Sequence, residues 1–175
     1  MIRKLFHPLN ILIACFLIAS KLFYRHANTA DLDLFLAPPS YLLRLFTGSH
    51  FTLTIDGYYF YDLNTIIDKS CSGFNLFLIY VAVGSFCFLK NKGSLIRSVL
   101  GFAVVFIASY LLTMITNFFR IYTLLNVEDP VSSVLSLPSR YIHEGIGVIN
   151  NTIFLIIAYL ITSYLQNKYH HEKTS

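Results

Sequence analysis

Long apolar runs alternate with shorter polar stretches along the chain, and four of these runs predict helices that cross a membrane. The predicted spans cover approximately residues 9–24, 72–89, 94–120 and 140–166. The third run is longer than a bilayer core requires, so its far end is expected to protrude. We therefore expect an all-α integral membrane protein, a four-span helical bundle formed as a single domain over residues 1–175.

The first apolar run has two interpretations. A basic start followed by an apolar stretch is typical of a cleaved signal peptide as well as of a membrane anchor. The nearest small-residue pattern, Ala27 to Ala30, follows a charged stretch from Lys21 to His26 and makes a poor cleavage site. The sequence favours an uncleaved anchor, and processing stays open.

A short helix is predicted between the first two spans. Pro38 and Pro39 stand where a helix starts, and Gly48 stands just past its end, which is the usual asymmetry of these two residue types. This helix is too short to span a bilayer and carries Arg44. We therefore expect it to lie in the extracytoplasmic membrane interface.

Two polar connections complete the predicted architecture. Residues 51–55 alternate between apolar and polar types, and Asp56-Gly57 follows them with further β-prone residues, which predicts a β-hairpin. Residues 126–138 contain two acids and two prolines, including Pro130, and are predicted to form a loop. The hairpin thus lies between spans 1 and 2, and the loop lies between spans 3 and 4.

Composition narrows the class of protein. Hydrophobic residues make up 55% of the chain and charged residues 13%, and the net charge of +4 is scattered at span ends rather than gathered in a basic stripe. This distribution argues against a nucleic-acid partner. Cys15, Cys71 and Cys87 contain no C-x-x-C pair, which argues against a disulfide framework, a thiol oxidoreductase and a zinc site.

Charge around the spans indicates an orientation. Four spans place both termini on one side of the membrane. That side has seven Lys and Arg residues, and the other side has six. The short basic loop 90–97 is the stronger signal, since short cytoplasmic loops carry the positive-inside bias most reliably. We therefore expect a multi-pass protein of the cell membrane with both termini in the cytoplasm. The start of span 2, the end of span 3 and the start of span 4 then lie outside.

Those three helix ends carry Cys71, Arg120 and His143. A thiol, a guanidinium and an imidazole are a nucleophile, an anion stabiliser and a proton carrier. Taken singly, each has a structural explanation: an apolar filler, a cation that reaches phosphates and an interfacial residue. Their coincidence at one depth favours a catalytic site, and the helix start at Cys71 favours a thiolate.

Helical spacing extends this set inward. Each of the three residues has a companion one helical turn away: Asn75 after Cys71, Asn117 before Arg120, and Gly147 after His143. Polar faces are costly in lipid, so these faces are expected to turn toward each other along a polar seam. Gly73 and Gly147 would let a backbone or a substrate approach closely.

The motifs resemble those of a known family. Ser-Cys-Ser-Gly-Phe at 70–74 resembles the A-C-S-G-[IL] segment of the exosortase/archaeosortase family. Asn117-Phe-Phe-Arg120 resembles its N-x-x-R, and His143 with Gly147 resembles its H-x-x-x-G. The resemblance covers about residues 51–150. Many members have more spans, so the chain is similar to a short, core-only member of the exosortase K type.

The resemblance implies a sortase-like cysteine peptidase or transpeptidase. Such enzymes cleave the C-terminal sorting signals of exported, membrane-anchored proteins. Cys71 would be the nucleophile, His143 the general base and acid, and Arg120 the oxyanion stabiliser. Substrate orientation is expected from the remaining site residues, Asn117, Asn75, Gly73 and Gly147. No cofactor and no metal is expected, and the acceptor, an amine, a hydroxyl or water, stays open.

The same residues are compatible with three other classes of protein. A non-enzymatic tetraspan scaffold or lipid-binding subunit would use the polar seam only to hold helices together. A small transporter is less favoured because the polar residues lie toward one end of the spans and no span has a Gly/Pro break. A metal hydrolase is less favoured still, because Cys71 and His143 have no third ligand on the seam.

Overall fold

The structure, a computed structural model, describes residues 8–88, 95–135 and 138–174 and is mostly helical. The elements in chain order are α1 (Pro8–His26), α2 (Asp33–Thr47), β1 (Phe51–Leu53), β2 (Tyr58–Phe60), β3 (Thr65–Ile67), α3 (Phe74–Phe88), α4 (Leu95–Leu135) and α5 (Ser139–Thr174). Short 3-10 turns, Ala30–Leu32 and Lys69–Cys71, precede α2 and α3. The basic N-terminal start and residues 90–94 of the predicted loop 90–97 lie outside the described residues, whereas residues 95–97 form the start of α4.

Three helical segments of the described chain are long and apolar enough to cross a membrane. They are Lys69–Cys87, Ser98–Glu128 and Tyr141–Tyr164, which agree in position with predicted spans 2, 3 and 4. The protein therefore has the character of an integral membrane protein. Predicted span 1 corresponds to α1, and the crossing of the membrane by α1 stays a prediction.

The chain forms two compact units, Met1–Met114 and Ile115–Ser175, and α4 runs through the boundary. The core of the first unit is aromatic. Phe35 of α2 packs edge-on against Phe74 with ring centroids 5.0 Å apart, and Phe77 packs in the same way against Phe106 at 5.1 Å. Phe16 of α1 reaches the same Phe106 at 5.9 Å. These rings join α1, α2, α3 and the first half of α4.

Helix α2 begins earlier than the sequence predicts. Its end is as expected, because Gly48 adopts a left-handed φ of 71° and its N–H donates to the carbonyl of Arg44. Its start was predicted at Pro38, but both prolines lie inside the helix. Pro38 has no N–H, so the carbonyl of Leu34 loses its helical donor. The hydroxyl of Tyr110 donates to that carbonyl at 2.7 Å and replaces the missing bond.

The predicted hairpin forms part of a larger sheet. Strands β1 and β2 pair antiparallel, and the turn between them closes through the N–H of Thr54 donating to the carbonyl of Gly57 at 2.8 Å. Gly57 has a φ of 145°, which only glycine adopts readily. A third strand, β3, pairs antiparallel with β2 and gives the order β1-β2-β3. The description as an all-α protein with one hairpin is therefore incomplete.

The loop predicted over residues 126–138 is wrong for residues 126–135, which are helical, and residues 136 and 137 lie outside the described part of the chain. Helix α4 continues to Leu135 and contains Pro130. A proline inside a helix removes one hydrogen bond and crowds the preceding turn, at a cost of about 3 kcal/mol. A long helix retains its remaining hydrogen bonds on both sides of that defect, so the proline and the adjacent acids do not end it here.

Candidate functional site

Cys71 lies at the end of a short turn that is capped by the aspartate before it. The Asp68 carboxylate accepts hydrogen bonds from the backbone N–H of Ser70 at 2.9 Å and from its hydroxyl at 2.6 Å. The N–H of Cys71 donates to the Asp68 carbonyl at 2.9 Å. Such bonds hold a short turn in one conformation. The Asp68 side chain thus fixes the backbone that carries the thiol.

The thiol stands just outside helix α3 rather than in its first turn. Gly73 has a positive φ of 68° and separates the turn from the helix. The hydroxyl of Ser72 accepts from the N–H of Phe74 at 3.3 Å, so α3 starts at Phe74. Cys71 is 8% exposed, and its Sγ lies 3.8 Å from the Ser70 Oγ. Cys71 is therefore a buried thiol just before the N-terminus of an apolar helix.

Asn75 has a different neighbour from the one that helical spacing suggests. Because the positive φ of Gly73 interrupts the helical conformation, Cys71 and Asn75 do not belong to one helix and do not share a helical face. Asn75 is exposed, and its Oδ1 accepts a hydrogen bond from the ammonium group of Lys21 at 2.6 Å. In the first unit, Asn75 therefore contributes to the packing of α1 against α3.

In the second unit, Arg120 lies alongside Gly147. A methyl group placed on Gly147 would be 3.6 Å from Cδ of Arg120, which is an ordinary contact distance. The stem of the arginine therefore runs along the helix surface at the glycine. Near it, Asn150 Nδ2 donates to the carbonyl of Thr116 at 3.4 Å. The second half of α4 and α5 thus face each other through polar and small residues.

His143 and Asn117 belong to the same two helices. His143 is half-buried and lies four residues before Gly147, so it shares the face of α5 that Arg120 meets. Among the described residues, no hydrogen bond is formed by its imidazole. Asn117 is 1% exposed and lies on α4, three residues before Arg120. A guanidinium and an imidazole thus occupy neighbouring positions along one helix pair.

Sequence reasoning missed the residues that support the Cys71 turn. Asp68 and Lys69 are not among the predicted site residues. The pattern Asp-x-Ser at 68–70 is a recognisable turn signal and gave a basis for predicting the cap. The partners of Lys69 lie more than forty residues earlier in the chain, and no local pattern reveals them. No group of three or more His, Cys, Asp and Glu within the described ranges could hold a metal ion.

Cys71 belongs to the first unit, whereas Arg120 and His143 belong to the second. Their convergence at one substrate carbonyl stays a prediction. Comparison of the chain with models of known protein families, with curated proteins and with solved structures finds no match.

Proposed function

We propose that this protein is a membrane-embedded cysteine peptidase or transpeptidase that cleaves C-terminal sorting signals of exported proteins. Cys71 is the nucleophile, His143 the general base and acid, and Arg120 the oxyanion stabiliser. The reaction takes place at the extracytoplasmic membrane–water interface of the cell membrane. Four spans, with α1 as the first, keep both termini in the cytoplasm.

The observation that carries the proposal is the capped turn that holds Cys71 just before the N-terminus of α3. Two hydrogen bonds from Ser70 to the Asp68 carboxylate fix the turn, and the Ser70 hydroxyl lies 3.8 Å from the sulfur. A nucleophile is effective when its support fixes its position before the substrate arrives. A thiol needed only as apolar filler requires no such polar support.

The pair of helices in the second unit supports the other two roles. Arg120 lies along α5 at Gly147, one turn from His143. An arginine donates several hydrogen bonds and keeps its charge, so it suits the oxyanion of a tetrahedral intermediate. An imidazole titrates near neutral pH and suits a group that takes and returns a proton.

The proposed steps balance in atoms and electrons. His143 takes the proton of the Cys71 thiol, and the sulfur attacks the scissile carbonyl while the oxyanion faces Arg120. The tetrahedral intermediate collapses, the C–N bond breaks, and His143 gives its proton to the leaving amine. A thioester remains on Cys71, and an amine, a hydroxyl or water resolves it. Asn117, Gly73 and Gly147 would line the substrate path, whereas Asn75, which accepts a hydrogen bond from Lys21, is assigned to the packing of α1 against α3.

The class of substrate is the one that the resemblance to the exosortase/archaeosortase family implies. A membrane-anchored protein whose sorting motif precedes an apolar helix and a basic tail would present its motif at the outer surface. Its helix would lie in the bilayer beside α3, α4 and α5. The basic tail would stay on the cytoplasmic side, in agreement with the positive-inside bias.

The test is cleavage of a membrane-anchored protein with such a C-terminus, co-expressed with this chain. Cys71→Ala and Cys71→Ser are expected to leave the substrate at full length while the enzyme accumulates in the membrane. His143→Gln and Arg120→Met are expected to lower the rate about a hundredfold or more. Cys87→Ala is the matched control and is expected to cleave normally. Normal processing by Cys71→Ala would remove the nucleophile assignment.

One observation favours a second candidate, a non-enzymatic tetraspan scaffold or lipid-binding subunit. Cys71 is only 8% exposed, as a packing residue would be. Under this alternative the polar contacts between α4 and α5 serve helix association only. A thiol that does not react with reagents added from outside, together with unchanged processing in Cys71→Ala, would favour the scaffold.

A further inference from the structure

Lys69, two residues before Cys71, is bonded to the C-terminal end of the first helix. Its ammonium group donates to the carbonyl of Ala27 at 2.7 Å and lies 3.4 Å from the carbonyl of Arg25. The last carbonyls of a helix have no donor within the helix and carry the negative end of its dipole. Lys69 supplies both the missing donor and the opposite charge, so it caps α1 from a distant part of the chain.

Tyr24 joins the same two segments a second time. Its hydroxyl donates to the backbone carbonyl of Lys69 at 3.2 Å, and the Lys69 ammonium lies 5.1 Å from the centre of its ring. The ring also stacks on Phe74, the first residue of α3, with centroids 5.2 Å apart and planes 4° from parallel. Tyr24 therefore contacts the chain on both sides of Cys71.

A third link joins Lys21, about one turn before Tyr24 on α1, to the residue that follows Phe74 on α3. The Lys21 ammonium donates to Oδ1 of Asn75 at 2.6 Å and lies 5.5 Å from the centre of the Tyr24 ring. With Lys69 and Phe74, Asn75 completes a set of α1 partners that brackets Cys71 in the sequence. The Cys71 turn is thus stabilised by the hydrogen bonds of Asp68 inside the turn and by the contacts of α1 with the residues on either side of it.

We infer that Lys69 is a positioning residue that clamps the Cys71 turn onto α1, so that α1 is a permanent part of the site and not a removable leader. The inference rests on the proposed function only in calling Cys71 a nucleophile. Cleavage near Ala27 would remove the carbonyls that Lys69 caps and the ring that Phe74 stacks on. The buried thiol would then lose its outer support.

The test measures how fast Cys71 reacts with a membrane-permeant maleimide in native membranes, in the full-length chain with Cys15→Ala and Cys87→Ala. An alkaline buffer in which thiols are ionised makes the rate report opening of the turn. Lys69→Met is expected to react about tenfold faster, which corresponds to ~1.4 kcal/mol of opening free energy. Lys69→Arg keeps a cation that reaches the same carbonyls and is expected to stay within about twofold.

Two further variants separate the clamp from general effects. Arg44→Met removes a cation elsewhere in the first unit and is expected to label like the parent. Tyr24→Phe keeps the stacked ring and loses only the hydroxyl bond, so it is expected to fold and to label about threefold faster. Labelling of Lys69→Met and Tyr24→Phe at the parental rate would overturn the clamp.

Retention of α1 is measured on the parent protein by intact-mass spectrometry after extraction from membranes. We expect the α1 residues to be present in the mature chain. A mature chain that begins near residues 27–31 would overturn the inference. Neither measurement involves a substrate, so both are independent of the cleavage test: normal processing by Cys71→Ala would refute the peptidase and leave the clamp standing.

Discussion

Gly84 of α3 lies against Val105 of α4, and this contact allows a sharp test of the packing that brings α3 to α4 in the first unit. A methyl group on Gly84 would be 2.7 Å from Cγ1 of Val105, whereas carbon atoms pack at roughly 3.5–4.0 Å. Val105 is 5% exposed, and the side chain of a helical valine has little rotational freedom. In Gly84→Ala, the two helices must therefore move apart.

The size of the effect follows from two opposing contributions. Overpacking of a well-packed core costs about 1–3 kcal/mol, and replacing glycine by alanine in a helix recovers ~1 kcal/mol. We expect Gly84→Ala to be less stable than the parent by up to about 2 kcal/mol. Gly145→Ala is the matched control, because a methyl group there meets no atom within 4 Å. It is expected to match or exceed the parental stability.

A double-mutant cycle distinguishes the clash from other causes. Val105→Ala removes the clashing methyl group, so in the pair Gly84→Ala, Val105→Ala the overpacking disappears. The coupling free energy is expected to be stabilising by about 1–3 kcal/mol. The assay is thermal unfolding of the purified protein in detergent, followed by circular dichroism and by the fraction that stays monodisperse. Additive effects of the two substitutions would refute the close packing of α3 against α4.

Two further predictions concern the segment between α1 and α3. In Gly57→Ala the new methyl group would clash with the backbone carbonyl of Ile67, so we expect a loss of about 2–4 kcal/mol in the free energy of unfolding. In Gly48→Ala the methyl group meets open space, so we expect a loss of ~1 kcal/mol for the positive φ alone. Equal losses of the two variants in thermal unfolding would contradict the sheet register. Burial and the hydrogen bond to the Asp33 carboxylate raise the pKa of Tyr58. The unfolded chain therefore releases this proton first, and we expect parental stability to hold below about pH 10 and to fall above it. Tyr58→Phe is expected to be ~1 kcal/mol less stable at neutral pH and to lose part of that alkaline slope, and an unchanged slope would refute the coupling.

The features that sequence predicted well are those with a local cause. Apolar runs gave the positions of α3, α4 and α5, because burial or lipid contact acts on every residue of a span. Asp56-Gly57 predicted the hairpin turn, and Gly48 predicted the end of α2, because each requires a backbone conformation that glycine adopts. In the candidate site, Arg120 and Gly147 lie together as a seam between α4 and α5 requires.

The features that sequence missed depend on partners far away in the chain. The start of α2 was misplaced because Tyr110, in another helix, supplies the hydrogen bond that Pro38 removes. The support of Cys71 by α1 was missed because Lys69 meets the Ala27 carbonyl across more than forty residues. Helical spacing wrongly grouped Asn75 with the thiol because the left-handed backbone conformation of Gly73 interrupts the helix between them.

The central claim is that Cys71 and His143 come close enough to act on one peptide bond. The most direct measurement is intramolecular cross-linking in native membranes, with Cys71 paired against His143→Cys in a Cys15→Ala, Cys87→Ala background. A thiol-specific reagent with a short spacer is expected to join this pair efficiently. Val148→Cys, at an exposed position of α5, is the control and is expected to cross-link weakly. Equal yields at the two positions, or no cross-link at 143, would contradict the account.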